Sequence, residues 1–217
     1  MHRFLFSAVL LTLSSLMPLA AQFPHFGLKI GTRFNDSISA DSSYRPQDRH
    51  LTGGPALEIG LPGPLAIGAE ALFKWSGYES SVTDSLGGTT YSRARQLSVD
   101  IPLMAKLYMP GIPFFRPFAT AGIAGRYRYG GELFRLVQPR DINGRPLPEY
   151  SERSDPRAEW DRGYTFGGGV QFRPLFFRVS GELRYTRWTN LDVSEGSRGA
   201  FFGLNRNQVE FLIGFGF

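Results

Sequence analysis

The chain has 217 residues, enough for one domain with a sizeable core or for two small ones. It contains no cysteine, which excludes a disulfide framework and thiolate-based zinc or redox sites. The formal net charge is +5, but the 24 Lys and Arg residues are dispersed among 19 Asp and Glu residues. Because no dense basic run occurs, we predict no nucleic-acid partner.

The first residues have the pattern of a bacterial signal peptide. MHR supplies a positive start, residues 4–13 form an apolar core too short for a permanent membrane helix, and PLAAQ suits cleavage after Ala20 or Ala21. The alternative, a buried N-terminal helix, is disfavoured by the positive start and the small-residue exit. We therefore predict a cleaved segment over residues 1–21 and a mature domain over residues 22–217.

In the mature chain, apolar residues alternate with polar or small ones, which is typical of β-strands. In FGLKIGTRF, Phe26, Leu28 and Ile30 alternate with Gly27 and Lys29. Eight segments follow this pattern, the fifth less regularly than the others. They cover residues 26–34, 55–61, 65–75, 97–108, 116–127, 164–172, 177–185 and 209–217.

Short and long connections alternate between these segments. An even-stranded barrel with both termini on one side predicts this alternation, with short turns on the terminal side and long loops on the other. The short turns lie near residues 62–64, 109–113 and 173–176, and the long polar loops near residues 35–51, 76–95, 128–162 and 186–206.

The sizes of the two strand faces distinguish a membrane barrel from a soluble one. An eight-stranded barrel has an interior only wide enough for its own side chains. The bulky apolar face would overfill that interior, whereas glycine, serine and a few charged residues fit it. We predict an all-β, eight-stranded antiparallel up-and-down transmembrane β-barrel in the bacterial outer membrane, with lipid against its apolar face.

Charged residues of both signs are expected to face the lumen and to pair, since an unpaired charge there costs several kcal/mol. Counting residues from the turns places Glu210 near Arg33 and Glu58 near Lys29. We favour a salt-bridged, closed interior over an ion pathway, because aqueous channels need about sixteen strands. The predicted lumen residues are Lys29, Arg33, Glu58, Glu70, Lys74, Asp100, Lys106, Arg126, Arg178, Glu182, Arg184 and Glu210.

Pro102 lies inside a predicted strand, where it cannot donate a ladder hydrogen bond. A closed barrel has no free edge to accommodate it. We therefore expect a β-bulge near Pro102, or a register in which the missing N–H costs little.

Aromatic residues cluster at both ends of the predicted strands, as in the two interfacial belts of outer-membrane barrels. At the loop ends they are Trp75, Tyr78, Tyr127, Tyr164, Tyr185 and Trp188. At the turn ends they are Tyr108, Phe114, Phe115, Phe172, Phe176, Phe177, Phe215 and Phe217.

The segments LSVDIPLMAKLY, RPFATAGIAG, SGELRYTRWTNL and NRNQVEFLIGFGF together resemble the outer membrane protein beta-barrel domain family, often called PorT-like and related in architecture to OmpA and OmpX. The resemblance implies an eight-stranded outer-membrane barrel. It also implies that the final aromatic strand is read by the barrel-assembly machinery. The outward residues of that predicted assembly signal are Val209, Phe211, Ile213, Phe215 and Phe217.

The sequence offers little catalytic chemistry. An acyl hydrolase needs a nucleophile, a base and an orienting carboxylate in mutual contact. His50 with Ser42 or Ser43 is the best candidate set, and nothing in the sequence holds such a pair together. We therefore predict no enzyme activity, no catalytic residue, no metal site and no cofactor.

The third long loop, residues 128–162, mixes arginine and acidic residues with apolar ones and is the most plausible surface for a partner. FRLVQ could extend a hairpin beyond the membrane, and INGRP is a turn signal. We predict a structural or surface-interaction role for a monomer in contact with outer-membrane lipid and lipopolysaccharide. The alternatives are a small-solute or ion channel and an enzyme that modifies lipid A.

Overall fold

The computed structural model describes residues 24–35, 44–46, 49–110, 114–154, 158–173, 177–190 and 205–217; the predicted signal peptide lies outside these ranges. None of the described residues belongs to a helix long and apolar enough to cross a membrane. The strands are β1 (His25–Arg33), β2 (Tyr44–Pro46), β3 (Arg49–Gly60), β4 (Leu65–Glu70), β5 (Leu72–Thr83), β6 (Thr89–Tyr108), β7 (Phe115–Gln138), β8 (Tyr150–Ser154), β9 (Glu159–Phe172), β10 (Arg178–Asn190) and β11 (Asn207–Gly216).

The strands close into a barrel with eight positions. Around the ring the order is β1, β3, β4 with β5, β6, β7, β9, β10 and β11, and β11 then pairs with β1. β4 and β5 share one position, because both pair with β3 and with β6. All neighbours are antiparallel, so the predicted eight-stranded up-and-down barrel is confirmed.

Side chains alternate between the interior and the exterior along each barrel strand. In β11, Gln208, Glu210 and Leu212 are buried, whereas Phe211 and Phe215 are exposed. The interior is therefore rich in polar and charged residues and the exterior in large apolar ones. This arrangement suits a barrel surrounded by hydrocarbon, in which every backbone hydrogen bond must be made within the ring.

Ala71 interrupts the strand that β4 and β5 would otherwise form. β4 pairs with β6 as far as Ala69, and the ladder resumes at Leu72 without a change of register. Pro102 lies in this gap, where the ladder has no hydrogen bond that an N–H at this position would need to make. Of the two expected outcomes, the structure therefore shows the tolerant register and no bulge at Pro102.

A second proline, Pro55 of β3, flanks the same interruption. The Ala71 N–H donates to the Pro55 carbonyl at 3.0 Å. The Ala71 carbonyl approaches Gly54 so closely that a Cβ added there would lie 1.8 Å from the oxygen. Only glycine fits this position without a backbone shift.

Strands β5 to β8 continue above the barrel rim on the side of the long connections. β5 and β6 stay paired up to Thr83 and Thr89, β7 stays paired with β6 up to Gln138, and β8 pairs with residues 133–137 of β7. We call this region the sheet extension.

The predicted loop boundaries therefore need correction. Much of residues 76–95 and 128–162 is strand, and β3 and β10 reach into the links near residues 35–51 and 186–206. Outside the membrane these strands lack the long apolar face that identifies a membrane strand in the sequence. Their sequence therefore predicts a loop. The hairpin at FRLVQ and the turn at INGRP are present, with Gly144 at a φ of 75° in the turn.

A β-bulge marks the point where the sheet extension leaves the barrel. In β6, Gln96 lies opposite Gly131 of β7 and Leu97 opposite Tyr129, so Gly130 is the extra residue. Its φ of 57° is a left-handed conformation that glycine adopts without strain. The bulge changes which β7 residues face inward above the rim.

Candidate functional site

Four charged side chains form a neutral cluster in the barrel interior, which we call the first quartet. The Lys29 ammonium lies 2.6 Å from Glu70 and 2.5 Å from Glu182. The Arg184 guanidinium donates to the same two carboxylates, at 2.7 Å in each case. The quartet therefore joins β1, β4 and β10 through two cations and two anions.

A second quartet consists of Lys74, Asp100, Arg126 and Glu210. Lys74 Nζ lies 2.6 Å from Asp100 Oδ2 and also contacts the Glu210 carboxylate. Arg126 donates to the two Asp100 oxygens at 2.7 and 3.0 Å and to the side chain of Gln208. This cluster joins β5, β6, β7 and β11.

The quartets have a consequence for stability, because all eight charged residues are buried. Desolvating a charge costs several kcal/mol, and its partners offset that cost only while the whole set is present. Loss of one member leaves an uncompensated charge in the interior. The quartets thus make the stability of distant strands depend on one another.

Glu58 belongs to a third cluster, on the side of the short turns. It accepts hydrogen bonds from Lys106 at 2.8 Å and from the Tyr108 hydroxyl at 2.7 Å, and Arg178 lies 3.6 Å away. The expected pairing of Glu58 with Lys29 is therefore wrong. The register of β1 against β3 follows a long connection, which does not set strand pairing as a tight hairpin does.

Arg33 lies opposite Glu210 in the ladder that closes the barrel, as the sequence led us to expect. Its guanidinium donates to the backbone carbonyls of Arg49 and Trp75 at 3.2 and 3.0 Å. The Glu210 carboxylate contacts Lys74 instead. The register of the strands therefore predicts correctly that Arg33 and Glu210 are neighbours in the ladder. It does not predict that the Glu210 carboxylate pairs with Lys74.

Sequence reasoning missed another buried ion cluster, near the loop-side rim. Arg128 donates to Asp161 at 2.9 Å and to Glu159 at 2.8 Å. The sequence predicts that these residues lie in a loop, although Arg128 continues the inward alternation of Arg126. That alternation was the signal that could have identified them.

Three aromatic residues predicted for the belts face the interior instead. Trp188, Tyr78 and Tyr108 are all buried, and the Arg126 guanidinium lies 4.0 Å from the Trp188 ring centroid. Trp188 is an even number of residues from the inward-facing Glu182, so strand alternation already placed it inside. Position near a strand end therefore predicts the face of a residue less well than alternation along the strand does.

The residues of the predicted assembly signal lie on one face of β11, and the last of them, Phe217, directly follows the strand. Phe211, Phe215 and Phe217 are exposed, while Val209 and Ile213 are partly exposed on the same outward face. Phe217 also donates its N–H to the Phe26 carbonyl at 3.0 Å, which prolongs the closing ladder. Recognition by the assembly machinery stays a prediction.

A cavity of about 70 Å³ lies in the interior between the first quartet and the short turns. Lys29, Glu58, Thr120, Arg178 and Ser180 contribute to its wall. Its size and the polar side chains in its wall suit a few water molecules.

The inner face of the sheet extension forms a larger, open depression of about 320 Å³. Tyr78, Ser80, Thr90, Arg135 and Tyr150 are among the residues that line it. Aromatic rings, hydroxyl groups and charged groups thus share one accessible surface above the barrel.

The two histidines of the described residues lie on β1 and β3. His25 Nε2 lies 2.7 Å from Arg178, and His50 is exposed on β3. Ser42 and Ser43, its candidate partners, lie outside the described residues. Within the part of the chain that the structure describes, no three His, Asp or Glu residues are grouped to hold a metal ion.

Solved outer-membrane structures resemble the chain at low sequence identity. The alignment with Neisserial surface protein A covers 91% of this chain and 97% of that protein, with 9% identity and a TM-score of 0.46. Ail of Yersinia pestis covers 89% and 94%, with 11% identity and a TM-score of 0.37. The N-terminal β-barrel domain of Pseudomonas aeruginosa OprF covers 91% and 99%, with 13% identity and a TM-score of 0.34. No curated protein sequence matches the chain.

The family comparison gives a direct assignment. The model of the outer membrane protein beta-barrel domain matches residues 20–187, well over half of the chain. The matched region includes β1 to β9, with the sheet extension, and most of β10. The closed ring, the polar interior and the apolar exterior are the features that such a domain requires. The chain therefore belongs to the outer membrane protein beta-barrel domain family and is a bacterial outer-membrane barrel protein.

Proposed function

We propose that this barrel is a closed, non-enzymatic protein that acts at the cell surface by binding a partner through the sheet extension. The observation that carries the proposal is the ordered continuation of β5 to β8 above the rim. Lipid contact accounts for the apolar barrel exterior. It does not account for a paired sheet with charged residues on its outer face, such as Arg93 and Glu79.

The interior supports a closed barrel. An eight-stranded barrel has little free cross-section, and here the two quartets and their aromatic neighbours occupy it. Opening a path would require breaking buried ion pairs. A small-solute channel is the competing function, and conductance distinguishes the two.

The depression on the sheet extension supports binding rather than a purely structural role. It combines Tyr150, which is exposed, with hydroxyl groups and with Arg135 opposite Glu152 in the β7–β8 ladder. Tyrosine and arginine contribute most to protein recognition where such a surface is buried by a partner. We expect the partner to contact this face.

A truncation tests the proposal. Residues 139–157 are replaced with a flexible Gly–Ser linker long enough to reach from Gln138, at the end of β7, back to Glu159, which lies opposite Arg128. Cells displaying each variant are applied to plates coated with proteins and polysaccharides. Because β9 starts at Glu159, we expect the barrel to fold and attachment to fall. The matched control replaces the turn at residues 84–88 with another turn of equal length. Equal attachment by the parent and the truncated protein across all surfaces would contradict the proposal.

Absence of enzyme activity is tested separately. We expect the lipid A of cells that overproduce the protein to have an unchanged mass spectrum. A new deacylated or acylated lipid species, lost on substitution of His50 or His25, would contradict the non-enzymatic role.

We also propose that the barrel is a monomer inserted by the barrel-assembly machinery through its last strand. Phe217 is highly exposed, so Phe217→Ala should change the stability of the folded barrel little while slowing its insertion in cells. Equal insertion rates for the two proteins would contradict the signal, and a mass of two chains in detergent would contradict the monomer.

A further inference from the structure

The outward faces of β9 and β10 show the same order of residues toward the loop-side rim. On each strand an apolar residue comes first, a tyrosine second and an arginine third. The two series are Phe166, Tyr164, Arg162 and Leu183, Tyr185, Arg187. This order matches the change from hydrocarbon to interface to headgroup across one leaflet.

The two arginines are neighbours on the barrel surface. Arg187 lies opposite Tyr164 in the β9–β10 ladder, and Arg162 is two residues from Tyr164 on the same face. Such diagonal positions are about 7–8 Å apart, within reach of long side chains. Both arginines are exposed, so the two guanidinium groups can act on one ligand.

Neither arginine has an acidic partner among the described residues, unlike Arg93 on the same side of the barrel. Arg93 lies 3.3 Å from Glu79 on the sheet extension. The acidic residues nearest to Arg162 in sequence, Asp161 and Glu159, face inward and bind Arg128. Two like charges thus stand side by side without a counter-charge from the described chain.

We propose that Arg162 and Arg187 bind the phosphate groups of a phosphorylated lipid in the outer leaflet. A guanidinium group forms two parallel hydrogen bonds to a phosphate, and anionic headgroups lie at the level where the tyrosines mark the interface. Two adjacent guanidinium groups favour a headgroup with more than one phosphate. This site is on the lipid-facing surface and does not depend on partner binding by the sheet extension.

Native mass spectrometry of the folded, full barrel in detergent tests the site. Lipid A with two, one or no phosphate groups is the added probe. We expect retention to fall with each phosphate removed. The double variant R162Q/R187Q should bind the bisphosphorylated lipid about tenfold more weakly, since it loses two charge-assisted contacts. R93Q, which removes an exposed arginine of the same side, should bind like the parent.

Further measurements separate the outcomes. R162K/R187K keeps the charge and loses the paired hydrogen bonds, so we expect intermediate retention. Trp160, two residues from Arg162, should change its emission when the lipid binds. Unchanged affinity in R162Q/R187Q, equal loss for the phosphate-free lipid, or equally tight binding of inorganic pyrophosphate would overturn the assignment. Unboiled gel mobility shows that each variant is folded.

Discussion

The ammonium group of Lys74 on β5 contacts the carboxylate of Glu210 on β11, although these strands are not neighbours in the barrel. The same ammonium lies 2.6 Å from Asp100 on β6. One lysine therefore neutralises two carboxylates from different strands. Its position links the middle of the chain to the seam that closes the barrel.

Lys74→Met should strongly destabilise the barrel, because Glu210 loses its cation while buried. We expect a loss of about 3–5 kcal/mol in the free energy of unfolding. Denaturant unfolding in detergent, followed by tryptophan fluorescence, measures the change. The control Arg93→Gln breaks an exposed pair and should cost only about 0–1 kcal/mol. Addition of Glu210→Gln should recover part of the loss; a Lys74→Met barrel as stable as the parent would contradict this account.

All three lysines of the sequence face the interior. Lys29 and Lys106 are 7% exposed and Lys74 is 1% exposed. An amine-reactive ester should therefore label none of the three in the folded barrel and all three after denaturation, with the terminal amine as an internal standard. Peptide mass spectrometry reads the sites, and rapid labelling of Lys74 in the folded protein would show an open interior.

Gly54→Ala tests the interruption at Ala71. The added Cβ would lie 1.8 Å from the Ala71 oxygen, so the backbone must shift. We expect a loss of at least about 1–3 kcal/mol, or a reduced folded fraction on an unboiled gel. Gly68→Ala is the matched control, since its nearest atom, the Leu57 oxygen, is 3.7 Å away. Equal stability of the two variants would be inconsistent with the close approach.

Alternation in the sequence predicted the fold well because a strand in lipid must present one apolar face. Lys29, Glu70 and Glu210 could be placed inside from this pattern alone. Only the hairpin at FRLVQ could be predicted of the sheet extension, since above the membrane neither face needs to be apolar. Residues such as Tyr91 and Arg93 therefore resembled a loop.

The partners in the buried ion pairs could not be predicted from the sequence for a different reason. A pair such as Glu58 with Lys106 depends on the stagger between strands, and that stagger is set by every ladder around the ring. Three aromatic residues were predicted for the outer belts because they lie near strand ends, although the alternation of strand faces places them inside. Trp188 follows Glu182 and Arg184 on the inward face, and its position at a strand end concealed this.

Quenching by lipids brominated in their acyl chains tests the orientation of the tryptophans. Trp75 is 42% exposed on the outside, whereas Trp188 is 1% exposed inside. In variants that retain one of these two tryptophans, with the other tryptophans replaced by phenylalanine, we expect strong quenching for Trp75 and much weaker quenching for Trp188. Equal quenching of the two would contradict the assigned faces.

The closed interior is the central claim, and single-channel conductance tests it most directly. The purified, folded barrel is reconstituted into a planar lipid bilayer, and current is recorded at moderate voltage in concentrated salt. With both quartets intact we predict no steady conductance steps. Frequent, long-lived openings of the unmodified barrel would contradict the account and would favour a channel.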